Sequence, residues 1–103
     1  MRRGEVWWYE PPNEKPRPVL ILTRDDVISR SLDVVAMPAT GVSRDWLNEV
    51  EIGVADGMPT ESVLVAENTL SAEKVFLTQR MTELGAAKMH KVCAALDAAT
   101  SCD

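Results

Sequence analysis

The segment Val19-Leu20-Ile21-Leu22-Thr23 is apolar at four consecutive positions. A strand that faces solvent on one side alternates apolar and polar residues, whereas a short unbroken apolar run is typical of a strand buried on both faces. The segment therefore predicts a central, fully buried strand.

Strand-forming patterns flank this segment on both sides. Residues 4–9, Gly-Glu-Val-Trp-Trp-Tyr, are rich in strand formers and stop at a Pro-Pro pair, after which residues 11–18 are interpreted as a proline-rich loop. Residues 24–30 are interpreted as a polar turn and residues 41–48 as a loop. Further strands are predicted at residues 34–38, 49–52, 62–65 and 75–81, of which 49–52 alternates as a half-exposed strand.

The spacing of the apolar residues changes from a strand pattern to a helical one near residue 85. Apolar residues then recur at helical spacing, and we expect Cys93 among them to be a small buried hydrophobe. Several short strands followed by one helix predict a single domain over residues 1–103, mainly β, in which a strongly bent antiparallel sheet or partial barrel carries a C-terminal helix. The apolar stripe consists of Met89, Val92, Cys93, Leu96 and Ala99.

Composition restricts the function without naming it. The chain has 103 residues, 46% of them hydrophobic and 26% charged, which is typical of a globular domain. No apolar run reaches the roughly 18 residues of a membrane span, and no signal peptide is recognisable, so we expect a cytoplasmic protein. The net charge of −5 counts against nucleic-acid binding unless the basic residues of the first half gather on one surface. These residues are Arg2, Arg3, Lys15, Arg17, Arg24, Arg30 and Arg44.

Metal chemistry is not indicated. The chain has one histidine, His90, and two cysteines, Cys93 and Cys102, which form no CxxC pair. A zinc site of the usual spacing cannot be assembled from these residues, and we expect no metal or other cofactor. His90 lies between Lys88 and Lys91 in the predicted helix, where a solvated side chain without a catalytic role is the favoured interpretation.

The order of several motifs resembles that of the MazF toxins. The opening Met-Arg-Arg-Gly-Glu-Val-Trp-Trp is followed by Arg17-Pro18 and the apolar strand, then by Pro38-Ala39-Thr40 and Asp56-Gly57-Met58-Pro59. The resemblance implies an SH3-like small barrel with a C-terminal helix, the CcdB/MazF-like fold. It also implies a homodimeric, metal-independent endoribonuclease that cleaves single-stranded RNA to 2′,3′-cyclic phosphate and 5′-hydroxyl ends, and that a MazE-like antitoxin neutralises.

Arg17 and Thr40 are the candidate catalytic residues. A guanidinium suits the negative charge that develops on phosphoryl oxygens, and a strand-end hydroxyl can orient the same phosphate. Each residue also has an interpretation without catalysis: Arg17 could be a solvated surface arginine, and the Thr40 hydroxyl could only cap the backbone. The resemblance favours the catalytic roles, while the general base stays unassigned.

Five further residues are candidates for RNA binding: Lys15, Arg24, Arg44, Trp46 and Asn68. Trp46 is close to Arg44 in the sequence, and an aromatic residue beside a cation can stack an unpaired base. Alternatively, the indole fills the end of the barrel. Asn68 belongs to Glu67-Asn68-Thr69-Leu70, where many relatives have Asp-Asn-x-Gln. That region contacts bases in some relatives, and we assign no role to Leu70.

Two other functions remain open on the same fold. The first is a CcdB-like toxin that binds gyrase without catalysis, although this chain ends in Ala-Thr-Ser-Cys-Asp rather than the Trp-Gly-Ile tail of those proteins. The second is a catalytically inert interaction domain.

Overall fold

The computed structural model describes residues 1–45 and 47–101 and confirms a mainly β fold with a C-terminal helix. Its seven strands pair antiparallel in the order β4-β5-β3-β2-β1-β7, and β6 pairs with β3 beside this path. The strands are β1 (Glu5–Tyr9), β2 (Arg17–Ile21), β3 (Asp33–Thr40), β4 (Glu49–Ile52), β5 (Ser62–Val65), β6 (Leu70–Glu73) and β7 (Leu77–Glu83), and the helices are α1 (Asp25–Ile28) and α2 (Ala86–Thr100).

The prediction that the central strand is buried on both faces is confirmed. β2 lies between β1 and β3, and successive side chains of a strand point to opposite faces of the sheet. Leu20 packs into one hydrophobic cluster, while Val19 and Ile21 pack into a second cluster on the other face. The unbroken apolar run therefore reflects two cores, one on each side of the sheet.

The helix α2 covers the first of these clusters. Val92 is fully buried there, and Met89, Leu96 and Ala99 pack against the cluster with part of their surface exposed. Cys93 is exposed, so the expectation that it is buried was wrong. The residues of α2 that pack against the cluster include 89, 92, 96 and 99, at successive intervals of three, four and three, and Cys93, directly after Val92, is turned about 100° away from Val92.

Several boundaries differ from the sequence prediction. β2 begins at Arg17 because Arg17 and Pro18 pair with Tyr9 and Trp8 of β1. β7 begins only at Leu77, since residues 74–76 form a 3₁₀ turn.

Two short elements were missed by the sequence prediction. β6 has the sequence Leu-Ser-Ala-Glu, which carries no β-branched or aromatic residue, and it exists because it pairs with the first half of β3. The predicted polar turn at 24–30 contains α1, which buries Ile28. Among the described residues no helix is long and apolar enough to cross a membrane.

The buried carboxylate of Glu5 links β1 to β7 through hydrogen bonds. Glu5 is 6% exposed, and its Oε1 accepts hydrogen bonds from the Arg2 backbone N–H at 2.8 Å and from Trp7 Nε1 at 3.0 Å. Its Oε2 accepts from Arg80 Nε of β7 at 2.8 Å. Burial by itself would raise the pKa of Glu5, but these three hydrogen bonds outweigh it and lower the pKa from 4.5 to about 2.

This pKa predicts an acid-sensitive fold. The folded pKa lies below the unfolded value, so the ionised Glu5 stabilises the protein above about pH 4.5 and loses this contribution as the pH falls toward 2. One pKa unit corresponds to about 1.4 kcal/mol, which makes the contribution on the order of 3 kcal/mol at pH 7. Urea unfolding at pH 7 and pH 3 should show the stability gap between wild type and Glu5→Gln narrowing at the lower pH. An equal gap at both pH values would contradict this assignment.

Candidate active site

The register of β2 against β3 sets Arg17 beside Thr40. Val19 pairs with Pro38 and Leu20 with Met37, and continuing this register places the first residue of β2 opposite the last residue of β3. Residues opposite each other on antiparallel strands have Cα atoms about 4.5–5.5 Å apart and project on the same face of the sheet. This extension of the register places the two candidate catalytic residues, 23 positions apart in the chain, near each other at one end of the sheet, and both line one cavity there.

A cavity of about 570 Å³ opens at this end of the sheet. It lies between the proline-rich loop before β2, the end of β3 with the segment that follows, and the start of β4. Its described lining consists of Lys15, Pro16, Arg17, Pro18, Pro38, Ala39, Thr40, Gly41, Val42, Arg44, Leu47, Glu49, Val65 and Asn68.

The structure brings five of the seven candidate site residues to this cavity, namely Lys15, Arg17, Thr40, Arg44 and Asn68. It does not bring Arg24 there. Arg24 follows the opposite end of β2, directly before α1, where its Nε forms an ion pair with Asp26 at 3.1 Å. Trp46 lies outside the described residues.

Some of the basic residues of the first half gather on one surface, as RNA binding by an acidic protein requires. Lys15, Arg17 and Arg44 meet at the cavity, although they are far apart in sequence. Arg2 pairs instead with Glu83 at 2.6 Å, and Arg3 donates to the Leu22 carbonyl. Three of the seven basic residues of the first half therefore give the cavity a local positive charge despite the net charge of −5.

Arg17 is only partly satisfied by the protein. Its Nη2 contacts Glu14 Oε1 at 3.3 Å, and its side chain is 38% exposed. Its Nε is buried and has no hydrogen-bond partner within the described part of the chain. A buried donor without an acceptor costs roughly 1–3 kcal/mol, so this guanidinium has hydrogen-bonding capacity left for a ligand. Anionic oxygens are the acceptors that such a group binds best.

Within residues 1–45 and 47–101, the Thr40 hydroxyl accepts one long hydrogen bond and donates none. Its Oγ1 accepts a hydrogen bond from the Val42 backbone N–H at 3.4 Å, which is long for such a bond. The backbone-capping interpretation of Thr40 thus describes one of its contacts. Because the oxygen acts there as an acceptor, the O–H remains available to donate to a ligand in the cavity.

Sequence reasoning missed Glu49, which lines the same cavity. Its Oε1 accepts a hydrogen bond from Ser43 Oγ at 2.7 Å, and its Oε2 accepts one from the Arg44 backbone N–H at 2.9 Å. The alternating pattern of 49–52 indicated only a half-exposed strand position. The available signal was its place, as the first strand residue after a loop that carries candidate binding residues.

The other end of the 41–48 loop is fastened by Glu67. Asn48 donates to both oxygens of this carboxylate, from its backbone N–H at 2.9 Å and from Nδ2 at 2.6 Å. The side-chain hydrogen bond from Asn48 is the largest influence on Glu67 and lowers its pKa. The loop that carries Arg44 is therefore held at both ends, by Glu49 and by Glu67.

Histidine and metal-ligand chemistry are not assembled around this cavity. His90 is exposed on α2, as expected from the sequence. Within residues 1–45 and 47–101, no three His, Cys, Asp or Glu side chains gather where they could hold a metal ion. The described groups that face the cavity and can act on a phosphate are a guanidinium, a hydroxyl, further cations and one carboxylate.

Comparison with known proteins gives one consistent family. Residues 2–100 match the family model described as PemK-like, MazF-like toxin of type II toxin-antitoxin system. The chain is 36% identical to the probable endoribonuclease MazF2 of Mycobacterium tuberculosis over 103 residues, which cover 99% of this chain and 100% of the relative. It is 33% identical to the probable endoribonuclease MazF5 of the same organism over 101 residues, covering 97% and 93% of the two chains.

Solved structures agree with this match. An endoribonuclease in complex with its cognate antitoxin, from a mycobacterial species, superposes with a TM-score of 0.88 at 25% identity and covers 100% of this chain and 97% of its own. The Mycobacterium tuberculosis toxin MazF-mt6 superposes with a TM-score of 0.86 at 27% identity, covering 96% and 98% of the two chains.

Proposed function

Because the chain belongs to the PemK-like, MazF-like toxin family of type II toxin-antitoxin systems, we propose that it is an endoribonuclease toxin that cleaves single-stranded RNA without a metal ion. The observation that carries this proposal is the meeting of Arg17 and Thr40 at a cavity that also contains Lys15 and Arg44. A cationic cavity lined by a guanidinium and a hydroxyl that can donate is suited to a phosphodiester.

The proposed reaction is an internal transesterification. The 2′-oxygen of one nucleotide attacks the adjacent phosphorus, an O2′–P bond forms, and the P–O5′ bond breaks. The products are a 2′,3′-cyclic phosphate and a 5′-hydroxyl. Arg17 stabilises the negative charge that develops on the non-bridging oxygens, and the Thr40 O–H donates to one of them and orients the phosphate.

Substrate binding is assigned to the remaining cavity residues. Lys15 and Arg44 contact phosphates on either side of the scissile bond, and the Asn68 amide reads the edge of a base. The cavity volume falls in the range of about 300–1,000 Å³ that small-ligand sites occupy, so it admits a splayed nucleotide rather than a stacked duplex. Arg24 lies outside this proposed site because of its position beyond the far end of β2.

Two partners belong to the proposal. The structural relative in complex with its cognate antitoxin supports an antitoxin partner. We propose that this antitoxin is MazE-like and covers the Arg17 cavity, and that the toxin is a homodimer, as the resemblance to the MazF toxins implies. We expect light scattering to give twice the chain mass for the purified toxin and a larger mass once antitoxin is added. A monomer at micromolar concentration would contradict the dimer.

The proposed function predicts a preference for unpaired RNA. The purified protein should cut a long single-stranded RNA into discrete fragments and leave the same RNA intact when it is annealed to its complement. A parallel assay should show gyrase supercoiling unaffected by the protein. Intact single-stranded RNA together with inhibited supercoiling would favour the CcdB-like function, and intact RNA with active gyrase would favour an inert interaction domain.

A further inference from the structure

We propose that Glu49 is the general base of this reaction and takes the proton from the attacking 2′-hydroxyl. This inference rests on the proposed endoribonuclease function. Neither Arg17 nor Thr40 supplies a proton acceptor of the required kind, because arginine stays protonated in proteins and a threonine hydroxyl is a weak base.

The composition of the cavity lining points to this residue. Lys15 and Arg44 are of the cationic type and have no acceptor atom in their charged form, and the Asn68 amide is not basic. No histidine, cysteine or tyrosine is among the described lining residues, and Glu49 is the one carboxylate among them. It is therefore the described cavity side chain that can accept a proton.

The strand register places Glu49 on the side of the sheet that carries the catalytic pair. Glu49 pairs with Val65 of β5, and the neighbouring Leu64 pairs with Ala39 of β3. One step along, the same register sets Val65 beside Pro38, two residues before Thr40, so these side chains share one face. With strands about 4.8 Å apart, Glu49 stands roughly 10 Å from β3 across β5. A nucleotide in the cavity then has Arg17 and Thr40 on one side and Glu49 on the other.

Two other carboxylates near the site do not line the cavity. Glu67 uses both oxygens to hold Asn48, and it is not among the residues that line the cavity. Glu14 is half exposed, forms the ion pair with Arg17 and also lies outside the lining. Glu49 differs from both because it lines the cavity.

The hydrogen bonds to Glu49 orient its carboxylate and leave acceptor sites unused on both oxygens. Ser43 Oγ donates to Oε1 and the Arg44 N–H donates to Oε2, which uses one acceptor site on each oxygen. A carboxylate has about four such sites, so each oxygen retains a lone pair for the substrate. The two contacts also hold the group in one orientation, as a base that acts at a defined atom requires.

The proton transfer balances within the transesterification. As the O2′–P bond forms, the 2′-hydroxyl proton passes to Glu49. The P–O5′ bond breaks, and the departing 5′-oxygen becomes a hydroxyl by taking a proton from water or from the protonated Glu49. No oxidant, reductant or metal enters the step.

The test is single-turnover cleavage by Glu49→Gln. Glutamine keeps the shape of the side chain and can still accept from the Arg44 N–H and bond Ser43 Oγ, so the loop keeps its fold. A general base typically contributes about 10²–10⁴ in rate, and we expect a loss of this size with RNA affinity nearly unchanged. Glu73→Gln is the matched control, since Glu73 is an exposed glutamate on β6 outside the cavity lining and the change in charge is equal. It should cleave at the wild-type rate.

Two further measurements separate a base from a residue that only shapes the loop. Ser43→Ala removes one hydrogen bond to Glu49 but leaves the carboxylate, so it should cost less than tenfold. Added formate should restore part of the activity of Glu49→Ala and none of that of Glu49→Gln, whose side chain fills the site.

A leaving-group substrate completes the test. An RNA with a sulfur in place of the bridging 5′-oxygen needs no proton on its leaving group, and the defect of Glu49→Gln should persist on it. Full activity of Glu49→Gln while the wild type cleaves normally would overturn the assignment of Glu49 alone. Failure of the wild type to cleave any RNA would instead overturn the proposed function.

Discussion

Arg17→Ala should reduce the rate of RNA cleavage by about 10²–10³, because removal of one preorganised donor to a developing oxyanion typically costs this much. Its Nη2 contact with Glu14 joins two exposed side chains, and such ion pairs contribute about 0–1 kcal/mol to stability. The variant should therefore stay folded, with a melting temperature close to that of the wild type. Single-turnover kinetics with a defined oligonucleotide measures the loss.

Two arginine variants sharpen this test. Arg17→Lys should recover little activity, because an ammonium cannot bond two phosphoryl oxygens in the planar fork of a guanidinium. Arg24→Ala is the matched control, since Arg24 belongs to the same segment of chain but lies beyond the opposite end of β2. It should cleave nearly as fast as the wild type. Equal losses in Arg17→Ala and Arg24→Ala would indicate that only overall positive charge matters.

Thr40→Ala should be the second severe variant, with a loss on the order of 10² in the rate of the chemical step. The hydroxyl accepts only a long hydrogen bond from the Val42 N–H at 3.4 Å, so its removal has little effect on folding. Thr40→Ser keeps the donor and should lose only a few-fold, through the greater rotational freedom of serine. If Thr40→Ser were as impaired as Thr40→Ala, the methyl group and its packing would be the relevant feature instead of the hydroxyl.

The architecture was predictable because its main signals are local. The apolar run at Val19 to Leu22 and the change to helical spacing near residue 85 indicated a buried strand and a C-terminal helix, and both are present. β6 was not predictable, because Leu-Ser-Ala-Glu has no strand preference of its own and pairs only once β3 offers an edge. The exposure of Cys93 likewise depends on how α2 is rotated against the sheet.

Most residues of the site could be predicted from the sequence, but their spatial arrangement could not. The resemblance to the MazF toxins selected Arg17 and Thr40, but their proximity follows from a strand register, which the hydrophobic pattern and distant turns set together. Arg24 was grouped with them because it is basic and close in sequence. A strand advances about 3.3 Å per residue, so the seven positions from Arg17 to Arg24 put the two arginines at opposite ends of β2. Glu49 was missed since its role emerges only where β4 meets the loop that it fastens.

The central claim is that this cavity cleaves RNA through its own side chains, and one assay tests it most directly. Purified protein is incubated with single-stranded RNA in excess EDTA, and the fragments are offered to a polynucleotide kinase without prior phosphatase treatment. Cleavage should proceed at the rate seen without chelator, and the new 5′ ends should accept label because they are hydroxyls. Cleavage that stops in EDTA, or fragments that label only after phosphatase treatment, would contradict this account.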